Sequence, residues 1–204
     1  MNKVILIGYF NETIELCEKC NCEIVGIVDR EAKGEYPYLG DDDFFSLNYQ
    51  KYVNIPLVIT PDNPQLRQKL FERYKALGFS FQTLIAPDAI VSESAIISEG
   101  CMIQSMCNIS ANVFIGTGSR VNSCANIMHD TRVGAFSVVA PSAVLLGYVT
   151  VGNNVYIGAN STILPHHTVA DLSTVGAGAV VTKDVKENTV VVGIPARVLK
   201  KSLK

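Results

Sequence analysis

Imidazole is scarce in this chain: His129, His166 and His167 are its only histidines. Asp130 follows His129 directly, and that pairing has a definite chemistry. Imidazole is the side chain whose ordinary titration range leaves it a usable base near neutral pH. A carboxylate beside it favours the imidazolium formed when it takes a proton. The pair is therefore a candidate general base, or else a solvated surface pair. His166 and His167 are adjacent, so their side chains point apart, and the three histidines do not make the convergent set a zinc centre needs. Cys17-x-x-Cys20-x-Cys22 is the other run with metal-binding spacing. It lacks a second ligand cluster, and small apolar residues on a helix and a turn explain it as well.

The element that must carry His129 is a repeat. In steps of six from Ile85 the sequence gives Val91, Ile97, Ile103, Ile109, Ile115, Val121, Ile127 and Val133, then continues without a break to Val181. Every one of these residues is aliphatic, and most are β-branched. The residue four places later is small or β-branched, from Ala89 and Ala95 to Val185, with His167 the exception. Glycine often follows the aliphatic, at Gly116, Gly134, Gly152, Gly158 and Gly176. A period of six excludes an α-helix and leaves room for a corner in each unit. Short strands joined by tight corners make a parallel β-helix, with three sides to a coil. The aliphatic residues, Ile85 included, are expected to point inward, and the glycines to supply positive φ at corners. Residues eighteen apart should stack at the spacing of paired strands, roughly 4.8 Å. His129 then lies beside Gly147, whose N–H a ligand can reach. A base and an oxyanion donor meet by the arithmetic of the coil.

Residues 1 to 82 have another texture. Lys3 to Gly8, Glu23 to Asp29 and Pro56 to Thr60 read as strands, and Glu12 to Lys19 as a short helix. A second helix follows, with Asn63 as its N-cap, Pro64 at its first position and Gly78 as its stop. Leu66, Leu70, Leu77 and Tyr74 or Phe71 are expected on its buried face. The order β-α-β-β-α-β describes a small Rossmann-like α/β unit, in which ligands bind beyond the carboxyl ends of the strands. Those ends carry Gly8, Asp29 and Asn63. Alternatively the unit only covers the end of the β-helix.

Composition sets the outer limits. Hydrophobic residues make up 48% and charged residues 18% of 204 residues, a globular balance. A net charge of −2 gives no general attraction to nucleic acid or to anionic membranes. No apolar stretch is long enough to span a bilayer, and the N-terminus makes a poor signal peptide. The expectation is a cytoplasmic protein whose six cysteines are free thiols.

The repeat, together with the ending Val192-Gly193-Ile194-Pro195-Ala196-Arg197, resembles the hexapeptide-repeat acyltransferases. With the α/β unit ahead of it, the arrangement is similar to the bacterial nucleotide-4-amino-sugar N-acetyltransferases and sialic acid O-acetyltransferases. The resemblance implies a left-handed coil, which the usual right-handed rule for parallel crossovers would not give. It implies a Rossmann-like nucleotide-sugar-binding domain over 1–82 and an acetyltransferase domain over 83–204. It also implies acetyl-CoA as cosubstrate, no metal, and a homotrimer with sites between subunits. His129 matches the family's base, Asp130 its acidic neighbour, Gly147 the glycine whose N–H meets the thioester carbonyl, and Asn122 an asparagine lining the same site. Ala159 and Ala177 match positions that contact the coenzyme. Lys183, Arg197 and Lys200 either meet its phosphates or are solvated surface cations. Three departures are visible. The loop Gly8-Tyr9-Phe10-Asn11-Glu12 lacks the family's second glycine and histidine, Ala86-Pro87 stands where His-Pro is common, and Val138 replaces a second histidine. The leading reading is N-acetylation of a nucleotide-linked 4-amino-6-deoxy sugar. O-acetylation of a sialic acid or related sugar, and a non-catalytic binding scaffold, are the alternatives.

Overall fold

The computed structural model describes residues 2–199. The chain opens with β1 (Asn2–Ile7), α1 (Asn11–Lys19), β2 (Cys22–Val28), α2 (Asp42–Leu47), β3 (Leu57–Ile59) and α3 (Pro64–Ala76). The three strands form one parallel sheet in the order β2-β1-β3. Seventeen two-residue strands follow, from β4 (Leu84–Ile85) to β20 (Val180–Val181). After them come β21 (Val190–Val192) and β22 (Arg197–Val198), an antiparallel pair at the far end.

The seventeen strands deal themselves in rotation onto three parallel sheets, the faces of a prism. Arg120 pairs with Val138, Asn126 with Val144 and Arg132 with Thr150, an eighteen-residue step on each face. The architecture fits a left-handed β-helix preceded by a small α/β region. Inside runs a continuous ladder that includes Ile103, Ile109, Ile115, Val121, Ile127 and Val133, all essentially inaccessible to water. Each buried side chain of this kind contributes on the order of 1.5–3 kcal/mol.

Several expectations need correction. Ile85 shares its register with buried Ile103 yet remains 38% exposed, because it stands in the first coil and no coil lies beneath it. The glycines after the aliphatic residues do not carry the positive φ. Left-handed backbone falls two residues later, on Met106, Asn112, Cys124, Asp130, Phe136, Tyr148, His166 and others. Gly116, Gly134 and Gly158 are needed instead for close approach: a Cβ on them would sit 2.5–2.6 Å from backbone atoms of the next coil. The α/β unit holds a short helix, α2, where none was expected. Its sheet has three strands, with only a single parallel bridge from Leu57 to Phe81 where a fourth would be, and β4 already belongs to the prism. Asn63 does cap α3, accepting the Leu66 N–H at 2.9 Å, and Gly78 ends it at φ +92°. Leu66, however, is exposed, and Arg67 takes its place on the buried face.

Arg67 shows how the two parts are joined. The α/β region covers the outer side of the first sheet, burying Leu84, Met102, Arg120 and Val138. Phe71 of α3 stacks on Phe81 and meets Phe136 of the prism edge-on. Arg67 reaches across, donating to the carbonyls of Ile59 and Pro61 on its own side and twice to that of Gly118 on the other. Burial, with Arg120 nearby, pulls its guanidinium down to about 10. Arg120 makes the return connection. Its guanidinium pairs with Asp62 at 2.9 Å and Glu12 at 3.2 Å, donates to Thr60 and Asn122, and lies over the Phe10 ring. Buried charges need such partners, since an unpaired one is strongly destabilising.

Candidate active site

His129 sits on the corner between the second and third faces, two residues beyond β11 (Asn126–Ile127). Its Nδ1 lies 2.9 Å from Asp130 Oδ2, and the other carboxylate oxygen of Asp130 accepts from Asn112 Nδ2 at 3.2 Å. The His129 contact first, and then Asn112, hold the Asp130 carboxyl below the usual carboxylate range. Asp130 has left-handed backbone at φ +58°, a conformation that aspartate tolerates better than most residues.

One coil on, Gly147 lies directly against the imidazole. A Cβ added there would be 2.7 Å from His129 Cε1 and 2.8 Å from Nε2. Only glycine leaves that space. Among the described residues the Gly147 N–H has no acceptor, while its carbonyl accepts from His166. Tyr148, following Gly147, donates its N–H to the His129 carbonyl and turns its ring edge-on to the imidazole at 5.3 Å. His129 is half exposed, so its Nε2 side is open to a ligand or to another chain. A base with one nitrogen tied to a carboxylate, set beside a free backbone donor, can take a proton from a nucleophile and hold a developing oxyanion.

The other expected site residues fall into separate groups. Gly8 and Asp29 share a hollow at the carboxyl ends of the small sheet, with Tyr9, Phe10, Thr60 and Pro61. Gly8 has φ +97°, and a Cβ on it would collide with Thr60 Oγ1, so the position requires glycine. The Asp29 carboxylate accepts the N–H groups of Tyr9 and Arg30, fixing the loop after β1. Asn63 is not in this hollow: its carboxamide is used as the α3 cap, and it lines a neighbouring depression with Asn154 and Tyr156. Asn122 is buried one corner before His129, and its Oδ1 accepts from Arg120 at 2.7 Å. Ala159 and Ala177 lie on the Asn122 corner in later coils, joined by the Gly178 N–H donating to the Ala159 carbonyl. Lys183 and Arg197 border a hollow near the end of the prism. Lys200 lies outside the described residues.

Sequence reasoning missed Asp42, which faces the Gly8–Asp29 hollow and accepts from the Tyr74 hydroxyl at 2.5 Å. The signal was present. Asp41 caps α2 through the N–H groups of Asp43 and Phe44, and an aspartate ahead of Phe44-Phe45 is a helix-start pattern. The thiols of Cys17, Cys101 and Cys107 are buried, which pushes them up to about 12, 11 and 11. Among the described residues no three or more His, Cys, Asp or Glu side chains converge as a metal site, and no helix is long and apolar enough to cross a membrane.

Residues 148–183 match the family model described as bacterial transferase hexapeptide (six repeats). Over 98% of both chains, the structure superposes with a TM-score of 0.92 and 30% identity on PerB from Caulobacter crescentus, solved in complex with CoA and GDP-perosamine. A mutant of GDP-perosamine N-acetyltransferase from the same organism gives the same TM-score and coverage at 28% identity. The acetyltransferase domain of PglB from Neisseria gonorrhoeae is 28% identical, with a TM-score of 0.90, over 98% of this chain and 100% of that one. No curated protein sequence matches the chain. The chain belongs to the hexapeptide-repeat acyltransferases, acetyl-CoA-dependent enzymes of the left-handed β-helix fold. Within them, its full-length likeness is to the nucleotide-amino-sugar N-acetyltransferases.

Proposed function

We propose that this enzyme transfers the acetyl group of acetyl-CoA to the 4-amino group of a nucleotide-linked 6-deoxy sugar, with His129 as general base. The observation that carries the reading is the His129 imidazole, tied to Asp130 at Nδ1 and set against Gly147. It stands in a chain whose whole length matches enzymes solved with CoA and a nucleotide amino sugar.

The geometry supports the following steps. Asp130 accepts from Nδ1–H, which leaves Nε2 unprotonated and directed toward the substrates. The sugar amine attacks the thioester carbonyl, and Nε2 takes the proton it sheds. The carbonyl oxygen becomes an oxyanion and is held by the Gly147 N–H. Collapse breaks the C–S bond, and the coenzyme thiolate leaves with the proton from the imidazolium. No covalent enzyme intermediate is needed, because the thioester is already activated. A positioned base contributes roughly 10²–10⁴-fold.

Residues 1–82 are read as a Rossmann-like nucleotide-sugar-binding domain, with Gly8 and Asp29 shaping the nucleotide pocket, and 83–204 as the acetyltransferase domain. The acetyl-CoA-facing positions Ala159 and Ala177 are on a different corner from His129. That arrangement supports a homotrimer in which the coenzyme lies between two prisms, against His129 of one chain and the alanine corner of the next. The N-terminal loop and Val138 depart from the family, so the acceptor sugar is the variable feature. An enzyme using cytoplasmic acetyl-CoA in glycan precursor synthesis fits this reading.

The test is loss of the thioester absorbance of acetyl-CoA against UDP-, dTDP- and GDP-linked 4-amino sugars and their hydroxyl analogues. Turnover with an amino sugar, abolished in His129→Ala, is the expected result. Near-normal turnover in His129→Ala overturns the assignment of the base. Turnover only with hydroxyl acceptors makes the enzyme an O-acetyltransferase.

A further inference from the structure

The proposed chemistry leaves His166 and Tyr148 without a role, and the structure puts both in one column with the base. Asp130, Tyr148 and His166 are eighteen residues apart on the same edge of the prism, each with left-handed backbone at φ +58°, +61° and +63°. Asparagine, aspartate and histidine are better suited to such a position than a tyrosine, for which left-handed backbone is uncommon. The tyrosine is also about half exposed, so burial of its ring into the core does not explain it.

What the ring does touch is specific. It stands perpendicular to the His129 imidazole, with centroids 5.3 Å apart and planes at 87°. On its other side it stacks on the His166 imidazole at 4.9 Å and 7°. The three rings form an imidazole–phenol–imidazole stack along the corner. Edge-to-face and offset-stacked contacts of this kind stabilise a particular ring orientation. His129 needs that help. Asp130 fixes only Nδ1, and a half-exposed side chain held at one atom can swing about it. Gly147 offers space rather than a wall. The Tyr148 ring closes the remaining side.

We propose that Tyr148, backed by His166, is a positioning residue that holds the His129 imidazole over Gly147 with Nε2 aimed at the substrates. This rests on His129 being the base. The Tyr148 hydroxyl also reaches toward the Asp130 carboxylate as the weakest of the influences on it, so the ring, and not that hydroxyl, must do most of the holding. Tyr148→Ala lets the imidazole wander, and displacement of a base by about 1 Å can lower turnover on the order of 10²-fold.

The experiment compares Tyr148→Ala, Tyr148→Phe, His166→Ala and His129→Ala in the full-length enzyme, with kcat and both KM values measured and thermal midpoints recorded. Expected is a fall in kcat of at least about tenfold in Tyr148→Ala, with KM for each substrate nearly unchanged. Tyr148→Phe restores most of it, and His166→Ala gives a smaller fall in the same parameter. Since Tyr148 is half exposed, the midpoints stay close to that of the parent. If His129→Ala is inactive and Tyr148→Ala keeps full kcat, the positioning role is refuted and the base stands. A rise in KM alone makes Tyr148 a substrate contact and also refutes it. Equal loss in Phe and Ala assigns the effect to the hydroxyl, against the proposal. An active His129→Ala removes the base and the positioning role together.

Discussion

Gly147→Ala separates the geometry of the site from its chemistry, because the alanine adds one methyl group and removes nothing. Its Cβ would lie 2.7 Å from His129 Cε1 and 2.8 Å from Nε2, inside the 3.4 Å at which ordinary contact begins. Gly147 is not in the left-handed region, so alanine fits the backbone there. The imidazole is the free end of a half-exposed side chain and yields before the coil does. It must retreat by about 0.7 Å from where Nε2 acts, and a misplacement of about 1 Å can cost 10²-fold. We expect kcat to fall roughly 30- to 100-fold, about 2–3 kcal/mol in the barrier, with KM for acetyl-CoA and acceptor little changed. The N–H of residue 147 is retained, so under the proposed mechanism the loss falls on His129 as base and not on Gly147 as oxyanion donor. The assay is steady-state loss of thioester absorbance at saturating concentrations of both substrates, with a melting curve to show that the fold is intact. A variant that melts normally and keeps kcat within about twofold of the parent would refute the reasoning, since the methyl group and the imidazole cannot share the space.

Two further outcomes follow from the charged groups. Arg67→Met fills most of the same volume but strands the carbonyls of Ile59, Pro61 and Gly118, at about 1–2 kcal/mol each, so stability should drop by about 3–6 kcal/mol in urea denaturation. A drop below about 1 kcal/mol would mean that water or a rearranged loop replaces the guanidinium. Asp130→Asn should lower kcat by at least about tenfold, since the amide does not hold the imidazolium. Its acid sensitivity supplies a second measure. The Asp130 carboxyl is held below its unfolded range, so its stabilising effect is complete above that range and is lost as pH falls through the lower folded value. The stability difference between parent and Asp130→Asn should therefore shrink on acidification below about pH 4 and not on raising the pH. A difference that stays constant across that range would show that the His129 and Asn112 contacts do not tune the carboxyl.

The prism was legible because its constraint is severe and local. Each inward position admits only an aliphatic side chain, so Ile103 to Val181 announce the period, and the period brings His129 and Gly147 together by arithmetic. The corners were misread for a related reason. Glycine signals two different needs, and here Gly116, Gly134 and Gly158 serve close approach while Phe136, Tyr148 and Leu172 accept the left-handed backbone. The α/β region was read less well because its deciding contacts are distant in sequence. Arg67 meets Gly118, and Arg120 meets Glu12, across 51 and 108 residues, and nothing local distinguishes either arginine from a solvated one. Asp42 was lost inside an acidic run that resembles surface, and Leu66 was assigned inward by a period that Arg67 in fact occupies. Asn63 caps α3 through its Oδ1 and lines the depression beside Asn154 and Tyr156, a placement that the strand order alone does not give.

The even eighteen-residue step has a consequence for how such a chain can change its length. Every coil joins the next by the same backbone pattern, so a whole turn can be gained or lost far from the site while each remaining residue keeps its neighbours. A gain of one residue has the opposite effect, rotating every later side chain off its face. The joint between the coils of His129 and Gly147 limits this freedom: an added turn there preserves the prism but parts the imidazole from the N–H beside it. Growth by turns is therefore open toward the far end of the shaft, and closed at that seam and at the coils held by the α/β region or by the Tyr148–His166 stack.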